Sequence, residues 1–285
     1  MLAQIMVGIN IVSSKFLLSS FSTIFLLAMR FGLATLILFA LHLLDSSNKK
    51  TVRLYFAELN RKDWFFLFAQ AVSAGILFNC LMLIGLRHTD ANVAGIITSA
   101  LPAIITLFCC VFLGERFSRK TALSIFFATI GLVVIGGAKL SEITSSHSFF
   151  GDSIVLLSLI PEAAYYVLCK LHPNRLPLFL TSALLNGINA IILGCMLPFV
   201  HLTEMSIHLS DWVILFILGL SSGFFYVFWF LGCQRVDGIM TSLSTAIMPV
   251  ATVLLAMMAL GEHLTAMEGA GMGLVMISIL IHAKG

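Results

Sequence analysis

The stretch DANVAGIITSALPAIITLFCCVFLGER, from Asp90 to Arg116, decides the fold because a related stretch occurs again near the C-terminus. The second copy is DGIMTSLSTAIMPVATVLLAMMALGEH, from Asp237 to His263. Leucines aside, five identities share one offset of 147 residues without a gap, which indicates an internal repeat. These pairs are Asp90 and Asp237, Thr98 and Thr245, Pro102 and Pro249, Gly114 and Gly261, and Glu115 and Glu262.

Both copies are apolar runs with a proline near the middle. Proline has no backbone N–H, so Pro102 and Pro249 leave the carbonyls of Thr98 and Thr245 without their helical donors. In a bilayer, such a break is tolerated where protein or a water-filled cavity covers it. Interrupted spans at matching positions of two halves indicate the substrate site of a transporter. We therefore expect both prolines to act as hinges or kinks.

The composition is that of a membrane protein. Of the 285 residues, 60% are hydrophobic and only 10% are charged, and the mean hydropathy is +1.07. A soluble domain carries roughly 25% charged residues. No polar block is long enough to fold alone, and a net charge of +3 gives no case for nucleic-acid binding. The sequence thus predicts an all-α integral membrane protein.

Ten apolar runs are long enough to cross a bilayer, which takes about 20 residues. The first begins at the N-terminus without a basic segment or a cleavage site, so we interpret it as a span and not as a removed signal. The predicted spans are 1–19, 22–43, 64–86, 91–113, 120–138, 151–171, 178–200, 212–233, 238–260 and 265–282.

The distribution of basic residues predicts the orientation. If the N-terminus is inside, the inner segments hold 12 of the 16 Lys and Arg residues, the outer segments hold 3, and Arg30 lies within a span. The positive-inside rule then places both termini in the cytoplasm.

The repeat extends beyond the opening stretch. Asp63-Trp64 matches Asp211-Trp212, and Gly75 matches Gly223, both at an offset of 148 residues. Each half, 1–140 and 150–285, therefore holds five predicted spans. Because five is odd, the second half enters the membrane from the opposite side, and the two halves form an inverted repeat.

At this point the chain resembles a known family. It is similar to the drug/metabolite transporter superfamily, EamA-type, over essentially its whole length. The resemblance implies a ten-helix carrier with a central cavity between the halves, which exports or exchanges a small metabolite across the bacterial inner (plasma) membrane. The residues that carry it are Gly8, Asn10, Lys15, Arg30, Phe31, Pro102, Leu113-Gly114-Glu115, Gly131, Pro249, Leu260-Gly261-Glu262 and Gly271.

Glu162 is the sharpest signal for a binding site. It follows Pro161, a further candidate kink, and lies roughly 16 Å into its helix, near the middle of the membrane. An unpaired carboxylate at that depth costs several kcal/mol, so Glu162 is expected to face the interior. It would be a counter-ion for a cationic substrate or a proton-coupling group. The alternative is a structural ion pair with Arg30, which lies at a similar depth.

Aromatic and amide side chains complete the predicted site. Tyr226 and Trp229 share a helix face, and with Tyr165 or Tyr166 they would form a box for an ammonium group. The alternative is ordinary packing, which is the usual role of such rings. Two amides deep in the first and third spans are also expected to face the interior, either to line the cavity or to hydrogen-bond between helices. They are Asn10 and Asn79.

The sequence contains no motif typical of a nucleotide-binding site, a metal site or an enzyme. There is no phosphate-binding loop, no metal-ligand spacing and no catalytic constellation at one depth, so we expect no cofactor and no enzyme activity. The sequence favours a secondary transporter, an exporter or exchanger of a small polar or cationic metabolite that works by alternating access, as a monomer or homodimer. A flippase would need a lateral opening to lipid. A scaffold would have midplane polar groups that satisfy one another.

Overall fold

The computed structural model describes most of the chain as helix, and no strand occurs in the part that it describes. The described residues are 2–45, 50–114, 148–172, 176–199, 209–233, 247–261 and 264–283, with 119, 122, 123, 126, 127, 130, 131 and 134. The fifth predicted span lies largely outside them.

Twelve α-helices occur in the described part, and a π-helical segment, Ala71–Leu77, joins α4 to α5. The helices are α1 Leu2–Leu17, α2 Thr23–Leu44, α3 Val52–Ala57, α4 Arg61–Gln70, α5 Phe78–Leu86, α6 Ala91–Ile97, α7 Leu101–Leu113, α8 Phe149–Leu171, α9 Leu178–Met196, α10 Leu209–Cys233, α11 Ile247–Leu260 and α12 Ala266–Ala283.

Five helical segments of the described part are long and apolar enough to cross a membrane. They are Thr23–Leu44, Arg61–Leu86, Phe149–Leu171, Leu178–Phe199 and Leu209–Gly232. Shorter apolar helices occupy four further predicted spans, at Leu2–Leu17, Ala103–Leu113, Ala251–Leu260 and Gly269–Ser278. The all-helical membrane class is confirmed, whereas the count of ten spans and the inverted repeat stay predictions.

The fourth predicted span is interrupted at the proline. Helix α6 ends at Ile97, a 3₁₀ turn covers Thr98–Ala100, and α7 begins at Leu101 with Pro102 in its first turn. The Thr98 carbonyl, which was expected to lack its donor, accepts from the Leu101 backbone N–H. The tighter turn thus replaces the hydrogen bond that Pro102 cannot make. In the second copy Pro249 lies in the first turn of α11, and Thr245 is outside the described residues.

The glycines of the two Leu-Gly-Glu motifs have the same unusual backbone. Gly114 follows α7 with φ of 68°, and Gly261 follows α11 with φ of 66°. This left-handed conformation is unfavourable for residues with a Cβ and is typical of helix C-termini. The two copies of the repeat therefore end their helices with the same backbone conformation. Glu115 and Glu262 lie outside the described residues.

Most of the helix packing joins the first half of the sequence to the second. Helix α2 packs on α9 and α10, α1 on α10 and α11, α5 and α7 on α8, and α6 on α11. The core of the described part therefore lies between helices of the two halves.

Helix α8 is tied to the first half near its N-terminal end. The Thr89 hydroxyl donates to Asp152 Oδ1 at 2.6 Å, and the Ser148 backbone N–H donates to the His88 carbonyl at 3.0 Å. Lys15 Nζ from α1 donates to the Thr89 carbonyl at 2.5 Å. These bonds connect α1, the loop after α5 and α8 at one end of the bundle.

A second contact holds the other end of α8. His172 Nε2 lies 2.5 Å from Asp63 Oδ1, and the imidazole stacks on the Phe66 ring with 4.7 Å between centroids. Asp63 also accepts from the Asn60 backbone N–H at 2.9 Å in the capping box that begins α4. Both ends of α8 are thus bonded to residues of the first half, and Glu162 lies between them.

A close approach between α8 and the loop after α5 generates a prediction for Gly151. A Cβ at this position would lie 2.8 Å from the His88 Cβ and 2.9 Å from its backbone carbonyl. Because backbone cannot move aside easily, we expect Gly151→Ala to lower the free energy of unfolding by about 1–3 kcal/mol. Thermal unfolding of detergent-purified protein measures the loss.

The matched control is Gly194→Ala in α9, where an added Cβ has no neighbour within 4 Å. Alanine favours a helix more than glycine does, so this variant is expected to melt at or above the wild-type temperature. Equal melting temperatures for the two variants would contradict the packing described for α8.

Candidate functional site

A small cavity lies where helices of both halves meet. Its walls come from α1, α2, the π-helical segment, α5, α8 and α10. Five of the eight residues predicted to bind substrate line it, namely Asn10, Arg30, Asn79, Glu162 and Tyr226. The remaining wall is mostly apolar and consists of Val7, Ile11, Ser14, Phe31, Ala74, Phe78, Met82, Leu83, Ser222 and Phe225.

Glu162 faces this cavity from the middle of α8. Its side chain is only 4% exposed, and within the described part of the chain its carboxyl makes no hydrogen bond and no ion pair. The preceding residue is held in place, because Ser73 Oγ donates to the Pro161 carbonyl at 2.5 Å. An unpartnered carboxyl among membrane helices is costly. A role of Glu162 in binding therefore stays a prediction.

Arg30 faces the same cavity from α2. It is 2% exposed, its Nη2 donates to Asn79 Oδ1 at 2.6 Å, and its guanidinium lies 4.6 Å from the centre of the Phe31 ring. Its Nε is buried without a partner among the described residues. No carboxylate of the described residues forms an ion pair with it. The ion pair with Glu162, considered from the sequence, is therefore not formed.

Asn79 positions the Arg30 side chain. Its Nδ2 donates to the carbonyls of Ala74 at 2.8 Å and Gly75 at 2.7 Å. Both carbonyls belong to the π-helical segment, whose wider turn changes the usual helical pairing. Because the amide donors point at the backbone, Oδ1 is left to accept from Arg30. Asn79 thus combines the two roles considered for it, since it lines the cavity and also bonds between helices.

The aromatic residues form a closed cluster and not an open box. Of the four rings predicted to surround an ammonium group, only Tyr226 lines the cavity. Tyr165 meets Tyr226 edge to face at 6.0 Å, and Tyr166 meets Trp229 edge to face at 4.5 Å. Such contacts are the favourable packing of aromatic pairs. The cavity is therefore not lined by Tyr165, Tyr166 or Trp229. These rings lie behind the cavity wall, where Tyr165 packs against Tyr226.

Sequence reasoning missed Ser222 and Phe225 on α10. Ser221 Oγ donates to Asn10 Oδ1 at 2.9 Å, and the neighbouring Ser222 lines the cavity. The available signal was a pair of serines inside the apolar eighth span. Phe225 had no such signal, because it resembles the other aromatic residues around it.

The model of the EamA-like transporter family matches residues 1–137 and 149–283. The chain belongs to the EamA-like transporter family. This EamA-like protein is therefore a membrane transporter and not an enzyme, and it acts on a small molecule in a lipid bilayer.

Relatives of the EamA-like protein are named as transporters without a stated substrate. It is 26% identical to the uncharacterized transporter YetK of Bacillus subtilis, over 98% of this chain and 84% of that protein. It is 24% identical to the uncharacterized transporter YyaM of the same organism, over 97% and 90%. A protein of known crystal structure shares the fold, with a TM-score of 0.66, 16% identity and coverage of 98% and 97%.

The role of Asn79 gives a stability prediction. Asn79→Ala removes the acceptor of a buried guanidinium and the donor to two backbone carbonyls. We expect it to lower the free energy of unfolding by about 2–5 kcal/mol, the range for leaving a buried charge unpartnered. Thermal unfolding in detergent is the measurement.

Asn10→Ala provides the comparison, because the Ser221 hydroxyl can donate instead to the Leu218 carbonyl, 3.0 Å away, when Asn10 is truncated. Its expected loss is about 1 kcal/mol. If the two alanine variants lose equal stability, Asn79 does not position Arg30 as described.

Proposed function

We propose that this transporter is a secondary carrier that exports or exchanges a small polar or cationic metabolite by alternating access. The observation that carries the proposal is the unpartnered carboxyl of Glu162 on a cavity between the two halves. A scaffold would satisfy its midplane polar groups internally. Glu162 is not satisfied in this way, which favours a transported ligand as its partner.

The proposed architecture is a pair of inverted repeats, 1–140 and 150–285. Two observations support it. The helix pairs that form the core join one half to the other, and the matching glycines Gly114 and Gly261 end their helices with the same left-handed geometry. In this proposal the central cavity lies on the pseudo-two-fold axis, as in other transporters built from inverted repeats.

The contacts at the two ends of α8 would close the cavity in turn. One end has the bond between Thr89 and Asp152, and the other has the contact between Asp63 and His172. Opening toward either side requires one set to separate while the other remains. Pro102 and Pro249 would supply the bends that allow α7 and α11 to move, because prolines are common sites of helix bending and the fourth predicted span already changes from α6 to α7 beside Pro102.

Further parts of the proposal concern the membrane. Both termini would lie in the cytoplasm, with the protein in the bacterial inner membrane as a monomer or homodimer. Transport would be driven by exchange or by protons. A single carboxyl that binds the substrate cannot hold a proton at the same time, so Glu162 would alternate between the two under proton coupling.

Ligand-dependent stabilisation tests the role of Glu162. Detergent-purified protein is melted against a panel of amines, amino acids and other small polar metabolites. A ligand at a hundredfold excess over its Kd stabilises the folded state by about 2.7 kcal/mol. We expect at least one amine-containing ligand to raise the melting temperature of the wild type and to lose this effect in Glu162→Gln.

The control variant is Glu58→Gln, which changes a carboxyl that is 58% exposed and paired with Lys50. It is expected to keep every ligand shift of the wild type. If Glu162→Gln also keeps them all and only melts lower, Glu162 is a structural residue and the proposed site is wrong.

A further inference from the structure

Three exposed basic side chains lie around the start of α4, and none of them lines the cavity. Arg53 belongs to the short helix α3, and Arg61 and Lys62 begin α4. Within the described part of the chain none of the three forms an ion pair. We call Arg53, Arg61 and Lys62 the basic surface. Because the protein does not neutralise these charges, they attract an anionic partner.

The acidic residues of the same segment are already occupied. Glu58 follows α3, and its carboxylate lies 2.5 Å from Lys50 Nζ. Asp63 belongs to α4, but its side chain is only 5% exposed and contacts His172. Neither carboxylate pairs with the basic surface, whose positive charge is therefore open to the surroundings of the protein.

Aromatic side chains place the basic surface at the boundary of the membrane. Helix α4 opens the continuous span Arg61–Leu86, so Arg61 and Lys62 lie at the end of a membrane helix. The next exposed residues, Trp64 and Phe65, are 41% and 65% exposed. Tryptophan is enriched at the level of the lipid headgroups. Basic side chains that lie just before such a residue are within reach of the headgroup phosphates.

Helix α3 is fixed beside this end of the span. The Tyr55 ring meets the His42 ring of α2 edge to face at 6.2 Å between centroids, and the Phe56 ring lies 5.9 Å from the Trp64 ring. The neighbouring Leu54 is 53% exposed. Helix α3 therefore offers an exposed apolar side chain beside its basic one, a combination typical of helices that lie at a membrane surface.

The internal repeat shows that the start of such a span does not require these charges. Asp63-Trp64 matches Asp211-Trp212, and Trp212 is 45% exposed, much as Trp64 is. The ten residues before Asp63 contain the whole basic surface, whereas the ten residues before Asp211 contain no Lys and no Arg. Orientation in the membrane is served by basic residues anywhere in the inner loops. Their concentration around Trp64 indicates a further role.

We propose that the basic surface binds the headgroups of anionic phospholipids in the surrounding leaflet. Basic clusters beside a membrane helix attract anionic lipids, by about fivefold in affinity for each Lys or Arg near the surface. A guanidinium can bind two phosphate oxygens at once, which suits Arg53 and Arg61. The exposed Leu54 and Phe65 would contact the acyl chains of the same lipids. This lipid site is separate from the central cavity and does not depend on what the protein transports.

Fluorescence quenching by brominated lipids tests the proposal at Trp64. The protein is reconstituted in vesicles of phosphatidylcholine mixed with phosphatidylglycerol, and one lipid at a time carries bromine near the headgroup end of its chains. Trp212→Phe reports on Trp64, and Trp64→Phe reports on Trp212, while Trp229 remains in both and is only 5% exposed. We expect phosphatidylglycerol to be preferred about fivefold or more at Trp64. The two lipids are expected to quench Trp212 about equally.

Substitutions and salt identify the charges responsible. Replacement of the basic surface by glutamine, with Arg53→Gln, Arg61→Gln and Lys62→Gln together, is expected to abolish the preference at Trp64. The control is Arg87→Gln, because Arg87 is exposed at the opposite end of the same span and its loss is expected to keep the preference. Salt at about 1 M shortens the Debye length to about 3 Å and is expected to weaken the preference without any substitution. The salt result is obtained whether or not the triple variant folds.

Several outcomes would overturn the proposal. They are equal quenching of Trp64 by both lipids, a preference that survives the triple variant, and a preference of the same size at Trp212. Titration of the protein in phosphatidylcholine vesicles with poly-L-glutamate examines an acidic protein as the alternative partner. If the polymer binds through the basic surface while Trp64 shows no lipid preference, the surface binds acidic protein and the lipid proposal is wrong. None of these results depends on Glu162, so they leave the proposed function to its own test.

Discussion

The structure depends on two buried ionisable side chains, Arg30 and Glu162, that share a cavity without forming an ion pair. A carboxyl and a guanidinium among membrane helices would normally pair, because an isolated charge there is costly. Here Arg30 is held by the amide of Asn79 and by the Phe31 ring, and Glu162 is left open to the cavity. Some hydrogen-bonding groups of the cavity therefore have no partner within the described part of the protein. A bound ligand could supply those partners.

The surrounding fold keeps the two charges apart. Asn79 bonds to the carbonyls of a π-helical segment, and Ser73 of the same segment bonds to the carbonyl of Pro161, one residue before Glu162. One short irregular stretch therefore positions the partner of the guanidinium and also the backbone beside the carboxyl. π-helical turns occur frequently at functional sites, and this one lines the cavity through Ala74.

The sequence predicted some features of this arrangement well, and the reasons are physical. Hydropathy predicts membrane helices because no polar backbone can stay unpaired in lipid, and the proline predicted the break after Ile97 because it lacks a donor. Helical rise gave the similar depths of Arg30 and Glu162. It did not give rotation or side-chain direction, so an ion pair between them stayed an alternative to a binding role. Asn79 as the actual partner, and the closure of the aromatic rings on one another, depend on packing between distant segments that sequence spacing does not record.

The most direct test of the account is the reactivity of Glu162 toward a membrane-permeant carbodiimide, which modifies protonated carboxyls in apolar surroundings. Folded protein in detergent is treated with the reagent, and each acidic residue is assayed by peptide mass spectrometry, with and without an amine-containing ligand that raises the melting temperature of the wild type. The account predicts that Glu162 is modified and that the bound ligand protects it. An unreactive Glu162 that becomes reactive only when Arg30 is replaced would show that the two charges are paired, and would contradict the account.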